Sequence, residues 1–317
     1  MQISAISGDA SFRRYFRVQS GQQHRVLMDA PPTLEDSLRF IATAEALASV
    51  GLQVPAVLAH DASAGLVLLQ DLGDDLLQFS LSQHNAADWY RRALGLLPKM
   101  QQVRATSQGP LPTFDRAFVL RELQIFTDWF LPVHLQLEIG ADVQALLHRT
   151  FSLIADEVLA QPQVGMHRDF HSRNLMIQPD QSLAVIDFQD AVIGPVSYDA
   201  VSLLRDCYLR WPDDFVAQLR DEFYANMSQN GLIGADFTLA QYRRSFDWTG
   251  LQRHLKVCGI FARLYHRDQK SGYLADLPRV VGYVRDCILA YPELAEFAKW
   301  FETIVMPRFV QVSSCGQ

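Results

Sequence analysis

The sequence predicts an α+β protein in which a small strand-rich segment is followed by a large helical remainder. Three observations carry this. The first 70 or so residues are short apolar runs broken by Gly, Pro and Asp, with a single stretch at helical period. From residue 86 onward, apolar residues recur at helical spacing in eight stretches. Between them lies a polar stretch, Met166–Asp199, whose spacing implies a loop followed by a tight hairpin. The chain has 317 residues, 49% hydrophobic and 20% charged, the composition of a globular protein with a substantial core.

Taken in order, Ser4–Ile6 is a short strand, followed by Gly8-Asp9-Ala10-Ser11 and a second strand, Arg14–Val18. His24–Met28 forms a third, ended by Pro31-Pro32 because proline cannot donate to a ladder. Leu34–Val50 carries Leu38, Ile41, Ala44 and Leu47 at helical spacing, with Thr33 as N-cap and Gly51 just past the end. Val54–His60 and Gly65–Gln70 are two further strands. Helices are then expected near 86–104, 115–134, 142–160, 197–208, 213–230, 238–268, 276–290 and 293–311, with no internal repeat and no low-complexity tract.

The chemistry concentrates in MHRDFHSRNLMIQPDQSLAVIDFQDAVIGPVSYD. His167, Asp169 and Asn174 form a His-x-Asp-x-x-x-x-Asn motif, and Ile186-Asp187-Phe188 follows after a hairpin's length. Phosphoryl transfer asks for one carboxylate beside the acceptor hydroxyl and oxygen ligands for the Mg²⁺ that neutralises nucleotide phosphates. Asp169 suits the first role; Asn174 with Asp187 suits the second. Pro179-Asp180-Gln181-Ser182 separates two apolar runs, so the chain turns back and brings Asp187 near Asn174.

This segment resembles the aminoglycoside-phosphotransferase and choline-kinase superfamily of protein-kinase-like small-molecule kinases. The resemblance implies a bilobal fold, with an N-terminal nucleotide-binding lobe over residues 1–70, a hinge at 70–74 and a helical lobe over 71–317. It implies Asp169 as catalytic base, Asn174 and Asp187 as Mg²⁺ ligands, Asp199 as a buttress of the catalytic loop, and ATP as donor. His167 reads as structural, and Arg205 and Asp206 as ordinary helix charges. Gln189 stands where protein kinases carry the glycine of Asp-Phe-Gly, so no activation-loop switch is expected. Backbone groups around Gln70, Asp71 and Leu72 would meet an adenine edge.

The nucleotide end departs from the protein-kinase pattern. The loop ending in Ser11 has one glycine, yet Ser11 and its neighbouring N–H groups are candidate phosphate contacts. Met28 occupies the third-strand position where kinases place a lysine; Arg13 or Arg14 would then supply the cation, or Mg²⁺ and backbone groups carry the phosphates. Glu45 is the candidate for the helix glutamate that partners that lysine elsewhere.

For the acceptor, residues 243–270 hold seven Lys or Arg against two Asp, in a chain whose net charge is −7. Arg253, Lys256, Arg263 and Arg267 lie at three- and four-residue spacings, which places them on one helical face and favours an anionic acceptor over a polycationic aminoglycoside. SGDASFRRYFRV, VLMDAPP, FVLRELQIFTDWF, IDFQDAVIGPVSYDAVSLLRDCY and LQRHLKVCGIFARL look like the bacterial anomeric sugar kinases of cell-wall recycling. That likeness implies phosphorylation of the C1 hydroxyl of N-acetylmuramate and N-acetylglucosamine, and makes a third-strand methionine normal. The candidates for holding this amino sugar are Arg173, Glu122, Trp129, Arg253, His254 and Lys256.

Other classes are disfavoured. The acidic balance argues against nucleic acid. No apolar run reaches the ~20 residues that span a bilayer. The start of the chain lacks a basic-then-apolar leader pattern, and the four cysteines show no metal or disulfide spacing, so cytoplasmic residence is expected. Two alternatives stay open on sequence: a same-fold kinase for an amino alcohol or aminoglycoside, and a nucleotide-binding protein without turnover.

Overall fold

The structure is a computed structural model that describes residues 2–6 and 12–315. The chain falls into two compact units, Met1–Thr113 with Val164–Ile193, and Phe114–Gln163 with Gly194–Gln317. The boundary expected at residues 70–74 lies inside the first unit, which also takes in the motif segment.

The first unit is built on a five-stranded antiparallel sheet. Its strands are β1 (Gln2–Ile6), β2 (Arg14–Ser20), β3 (Gln23–Asp29), β4 (Val57–Asp61) and β5 (Leu66–Gln70), in spatial order β1-β2-β3-β5-β4. Each expected strand is present, extended by one or two residues or trimmed by up to three at its start. Met28 sits on β3 opposite Tyr15 and Val67, with no exposure at all.

Helix α1 (Ser37–Ser49) begins later than the apolar spacing suggested. Asp36, not Thr33, is the N-cap: its carboxylate accepts from Arg39 N at 3.0 Å. A carboxylate there both satisfies an orphan donor and meets the positive end of the helix dipole. Ile41, Ala44 and Leu47 face the core, while Leu38 is 44% exposed. Gly51 follows with φ 76°, a left-handed turn that glycine adopts without penalty.

The expected helix over 86–104 is shorter and divided. After the short α2 (Leu77–Ser80) come α3 (Ala86–Leu94) and α4 (Leu97–Met100), then a two-residue ribbon of β6 (Ala105–Thr106) and β7 (Gly109–Pro110). Strand β8 (Gln163–Met166) leads into the motif loop. The hairpin beyond it is β9 (Leu175–Ile177) paired antiparallel with β10 (Leu183–Val185). Its turn closes through Gln178 N to Ser182 O at 2.9 Å, with Gln181 at φ 64° and the Asp180 carboxylate accepting from Ser182 N at 3.0 Å. Leu72, Met176 and Ala184 form a small apolar cluster, so the segment after β5 rests on this hairpin.

The second unit is helical: α5 (Arg116–Ile125), α6 (Ala141–Leu159), α7 (Tyr198–Leu204), α8 (Asp213–Gln229), α9 (Leu239–His266), α10 (Leu277–Ala290), α11 (Ala295–Trp300) and α12 (Met306–Cys315). Between α5 and α6 runs a π-helical stretch, Phe126–His134, with Pro132 inside it. Proline cannot donate the ordinary i−4 bond, and the wider register shows in Leu135 N to Phe130 O at 2.9 Å.

Helix α9 is the axis of this unit and packs against α5, α6, α7, α10 and the π-helical stretch. It starts on a capping box, with Thr238 N donating to Gln241 Oε1 at 2.7 Å. Gly259 lets it close on its neighbour; any Cβ there would overlap the Ile125 carbonyl. A helix covered on all sides must bury its polar residues as well. Gln252, Arg253, His254 and Lys256 are each at most 4% exposed.

Candidate active site

The motif loop is held by its histidine. His167 has no exposure; its Nε2 lies 3.0 Å from Ile186 O and its Nδ1 accepts from Asp169 N at 3.3 Å. Those two partners require a neutral ring protonated on Nε2, and they tie the start of the loop to the strand that delivers Asp187. Arg168, between the two, has φ 78°. Asp169 is half-buried, with its carbonyl accepting from His171 N at 3.0 Å and from Asn174 Nδ2 at 2.9 Å.

The second bond matters because only the amide nitrogen can donate to a carbonyl. It fixes which way Asn174 points and turns its Oδ1 away from the loop backbone. Ile186 N donates to Asn174 O at 3.1 Å, completing the convergence that the hairpin spacing foretold. Asn174 Nδ2 then lies 3.5 Å from Asp187 Oδ2.

Asp187 has φ 63°, a left-handed conformation that costs an aspartate about 1 kcal/mol and is retained only where its surroundings enforce it. Its Oδ1 accepts from Gln189 Nε2 at 2.9 Å and lies 3.5 Å from Arg13 Nη2. Arg13 in turn sits 3.8 Å from Glu35. Tyr15 lies beside this group; burial pushes its hydroxyl up to about 12, with Arg13 opposing and Asp187 and Glu35 adding to the rise. Phe188 packs on Phe40 of α1 with ring centroids 5.0 Å apart, which locks the backbone on the far side of Asp187.

The residues fit a small hard cation. The Asp187 carboxylate and the Asn174 amide are neighbours, and the amide oxygen left over from the Asp169 carbonyl contact would give the number of protein oxygens Mg²⁺ commonly takes alongside phosphate and water. A further observation agrees: Gln189 is 8% exposed and its Oε1 meets no donor among the described residues, an acceptor suited to a cation-bound water.

Arg13 and Arg14 part company. Arg14 pairs with Asp29 across the β2–β3 ladder and its side chain is 66% exposed, whereas Arg13 turns toward Asp187. Glu45 is exposed on α1, so the acid that meets the cation is Glu35, just ahead of the helix. Ser11 and the loop before it lie outside the described residues.

At the hinge, Gln70 N is taken by Ala56 O at 2.9 Å and Leu72 O by Gln178 Nε2 at 3.2 Å, so neither faces an open adenine edge. The Asp71 carboxylate is likewise occupied. Arg17 forks onto it at 2.7 and 3.0 Å and reaches Asp74 at 2.9 Å. The hydrogen bonds to Asp74 and Asp71 raise the Arg17 guanidinium above its usual range. Burial works to raise Asp71, yet the bonds from Arg17 and Gly73 N hold it below the ordinary carboxylate value. Arg17, Glu35 and Gln189 were not singled out by the sequence motifs. Gln189 alone carried a signal, as the residue replacing a glycine two places after Asp187.

The acceptor candidates divide. Arg173, beside Asn174, is half-buried and donates through Nε to Gln78 Oε1 at 2.7 Å. Trp129 is half-buried on the π-helical stretch of the second unit. Glu122, Arg253, His254 and Lys256 are all buried, so Arg253 and Lys256 do not contribute to the accessible basic face that the spacing of Arg253, Lys256, Arg263 and Arg267 suggested. Lys256 Nζ lies 3.1 Å from both Glu122 Oε1 and Tyr198 OH, Gln252 Nε2 donates to Glu122 Oε2 at 2.9 Å, and Arg253 lies over the Tyr198 ring at 5.8 Å. His254 stacks on Tyr283 at 4.6 Å, with Nε2 3.0 Å from Arg205 O. Burial, then the nearby arginines, push it down to about 3, so it stays neutral. Of the other charges of 243–270, Arg243 is paired with Asp221, Arg244 with Glu157 and Glu293, and Arg267 with Asp268, while Arg263 is half-buried and its Nε meets no acceptor among the described residues. Nor are Arg205 and Asp206 ordinary surface charges. Arg205 pairs with Asp247 at 2.7 Å, and Asp206 is fully buried, accepting from Tyr208 N at 2.9 Å.

Known proteins resemble this chain over most of its length. Residues 2–240 match the model of the phosphotransferase enzyme family. The chain is 41% identical over 298 residues to an N-acetylmuramate/N-acetylglucosamine kinase of Pseudomonas aeruginosa, covering 94% of this chain and 87% of the relative. A protein of that name from Neisseria meningitidis is 38% identical, with 92% and 87% covered. Among solved structures, choline kinase LicA from Streptococcus pneumoniae superposes with a TM-score of 0.61 at 13% identity, covering 92% and 94% of the two chains. Aminoglycoside phosphotransferase APH(4)-Ia superposes with a TM-score of 0.59 at 15% identity, covering 90% and 93%.

Proposed function

Because this chain belongs to the phosphotransferase enzyme family, we propose that it is a kinase that moves the terminal phosphate of ATP onto the C1 hydroxyl of N-acetylmuramate and N-acetylglucosamine. The observation that carries the reaction type is the convergence of Asp169, Asn174 and Asp187 through the β9–β10 hairpin. The sugar class is supported by the names of relatives at 38–41% identity, not by pocket charge, since Arg253 and Lys256 of α9 are buried and Arg243 and Arg244 are paired with acids.

In this reading Asp169 orients the acceptor hydroxyl and takes its proton. An anomeric hydroxyl is more acidic than an ordinary sugar hydroxyl, so positioning supplies much of the rate. Asn174 Oδ1 and Asp187 would hold Mg²⁺, which when bound neutralises charge on the transferring phosphate. Arg13, already beside Asp187, would stand in for the cation that Met28 cannot provide. The free N–H and C=O groups of the hinge, those not engaged by Ala56 and Gln178, would meet the purine. Arg173 is the acceptor contact best supported by position, one residue from Asn174.

The test is an ADP-release assay with Mg·ATP and four acceptors: N-acetylmuramate, N-acetylglucosamine, choline and kanamycin. Turnover with the two sugars and a 1-phosphate by ³¹P NMR is expected. Turnover with choline or kanamycin alone would retain the kinase and refute the acceptor; silence with all four would support a nucleotide-binding protein without turnover.

A further inference from the structure

The two oxygens of Asp187 are not equivalent, and the difference has a consequence for which cation the site accepts. Oδ1 receives Gln189 Nε2 at 2.9 Å, a donor that competes with any cation for its lone pairs, with Arg13 Nη2 further off at 3.5 Å. Among the described residues, the donor near Oδ2 is Asn174 Nδ2, at 3.5 Å, beyond good hydrogen-bond length. The Gln189 amide cannot be turned to relieve Oδ1, because a carboxylate accepts only from the nitrogen end. Its other end, Oε1, is buried with no donor among the described residues.

We infer that Gln189 restricts Asp187 to one-oxygen coordination through Oδ2 and so tunes the site for Mg²⁺ over Ca²⁺. Mg²⁺ demands near-octahedral geometry, keeps several of its waters and takes carboxylates singly. Ca²⁺ accepts six to eight oxygens and readily takes both oxygens of one carboxylate. Occupying Oδ1 removes the two-oxygen mode that Ca²⁺ exploits. Leaving Oε1 as a bare acceptor nearby favours an ion that retains its water. Gln189 touches neither substrate nor cation, so it is a positioning residue. Groups that orient a metal ligand in this way typically change affinity about 10–100-fold when removed. The inference deepens the proposed kinase function and rests on the cation site of that reading.

The experiment is Mn²⁺ binding by electron paramagnetic resonance on the full chain with ADP present, with Mg²⁺ and Ca²⁺ as competitors. It compares the wild type with Gln189→Met, which keeps the volume and loses the donor. Gln189→Ala serves if the first variant does not fold, as judged by its melting curve. The expected result is Mg²⁺ binding weaker by about 10-fold, with Ca²⁺ binding unchanged or tighter, so that the Mg²⁺/Ca²⁺ preference falls by at least that factor. Equal losses for both ions, or no change in the ratio, would overturn the inference while leaving the cation site standing. Failure of the wild type to bind Mn²⁺ with ADP would overturn both.

Discussion

Replacing Lys256 with methionine isolates what the α9 interior requires of its charges. Lys256 and Glu122 lie 3.1 Å apart with side chains only 5% and 7% exposed. At that separation the attraction is about 5 kcal/mol at an effective dielectric near 20, most of which offsets the removal of two charges from water. Taking away one partner therefore leaves the buried Glu122 carboxylate without the Lys256 charge beside it, although Gln252 Nε2 still donates to it at 2.9 Å. The expected loss is about 3–5 kcal/mol, read as a lowered urea midpoint in the fluorescence of Trp248, itself buried on the same helix. The double variant Glu122→Gln/Lys256→Met should recover most of that loss, because it removes both charges of the pair. A single-variant loss below about 1 kcal/mol would refute the reasoning. So would a double variant no more stable than the single, and the same result accompanied by a collapse of sugar turnover would return Lys256 to the acceptor site.

Three further outcomes are expected. Asp169→Asn should lower turnover by about 10²–10⁴-fold with nucleotide binding preserved, measured by ADP release and by calorimetry; retained turnover would remove Asp169 as the base. Gly259→Ala should destabilise the chain by about 1–3 kcal/mol in thermal melting, since the new methyl meets the Ile125 carbonyl rather than a movable side chain. His254 has a folded value of about 3, below its unfolded value, so the unfolded chain binds the proton first. Stability should thus decline as pH falls through about 6.5 and continue to decline toward 3, and His254→Gln should flatten that slope; parallel slopes for both proteins would contradict it.

What the sequence made legible was local. Pro179 to Ser182 between two apolar runs announced the hairpin, and the hairpin is what brings Asp187 to Asn174. The order of the first five strands and the positions of the long helices followed from period alone. Three features escaped because their causes are distant in the chain. Arg253, Lys256, Arg263 and Arg267 read as a face because spacing reports angle around a helix and not what covers it. Lys256 finds its partner on α5, 134 residues away. Arg13 and Arg14 are chemically interchangeable in sequence, yet successive residues entering β2 point in different directions, and only Arg13 meets Asp187. Glu45 fits a pattern, but the exposed side of α1 carries it away and Glu35 takes the contact. The α1 boundary slipped by three residues since Thr33 and Asp36 are both good caps, and only the backbone selects between them.

The first unit is discontinuous, and this bears on how the protein is made. Its opening stretch ends at Thr113, but the hairpin under Leu72 and all three motif residues belong to Val164–Ile193. A chain leaving the ribosome at ~5–20 residues per second would wait roughly 4–16 s between those points. During that interval Leu72 and Leu76 have no β9 to lie against, and the segment after β5 stays uncovered. The nascent chain therefore cannot assemble its candidate phosphate-transfer site until Ile193 has been synthesised, well after the sheet that belongs to the same unit.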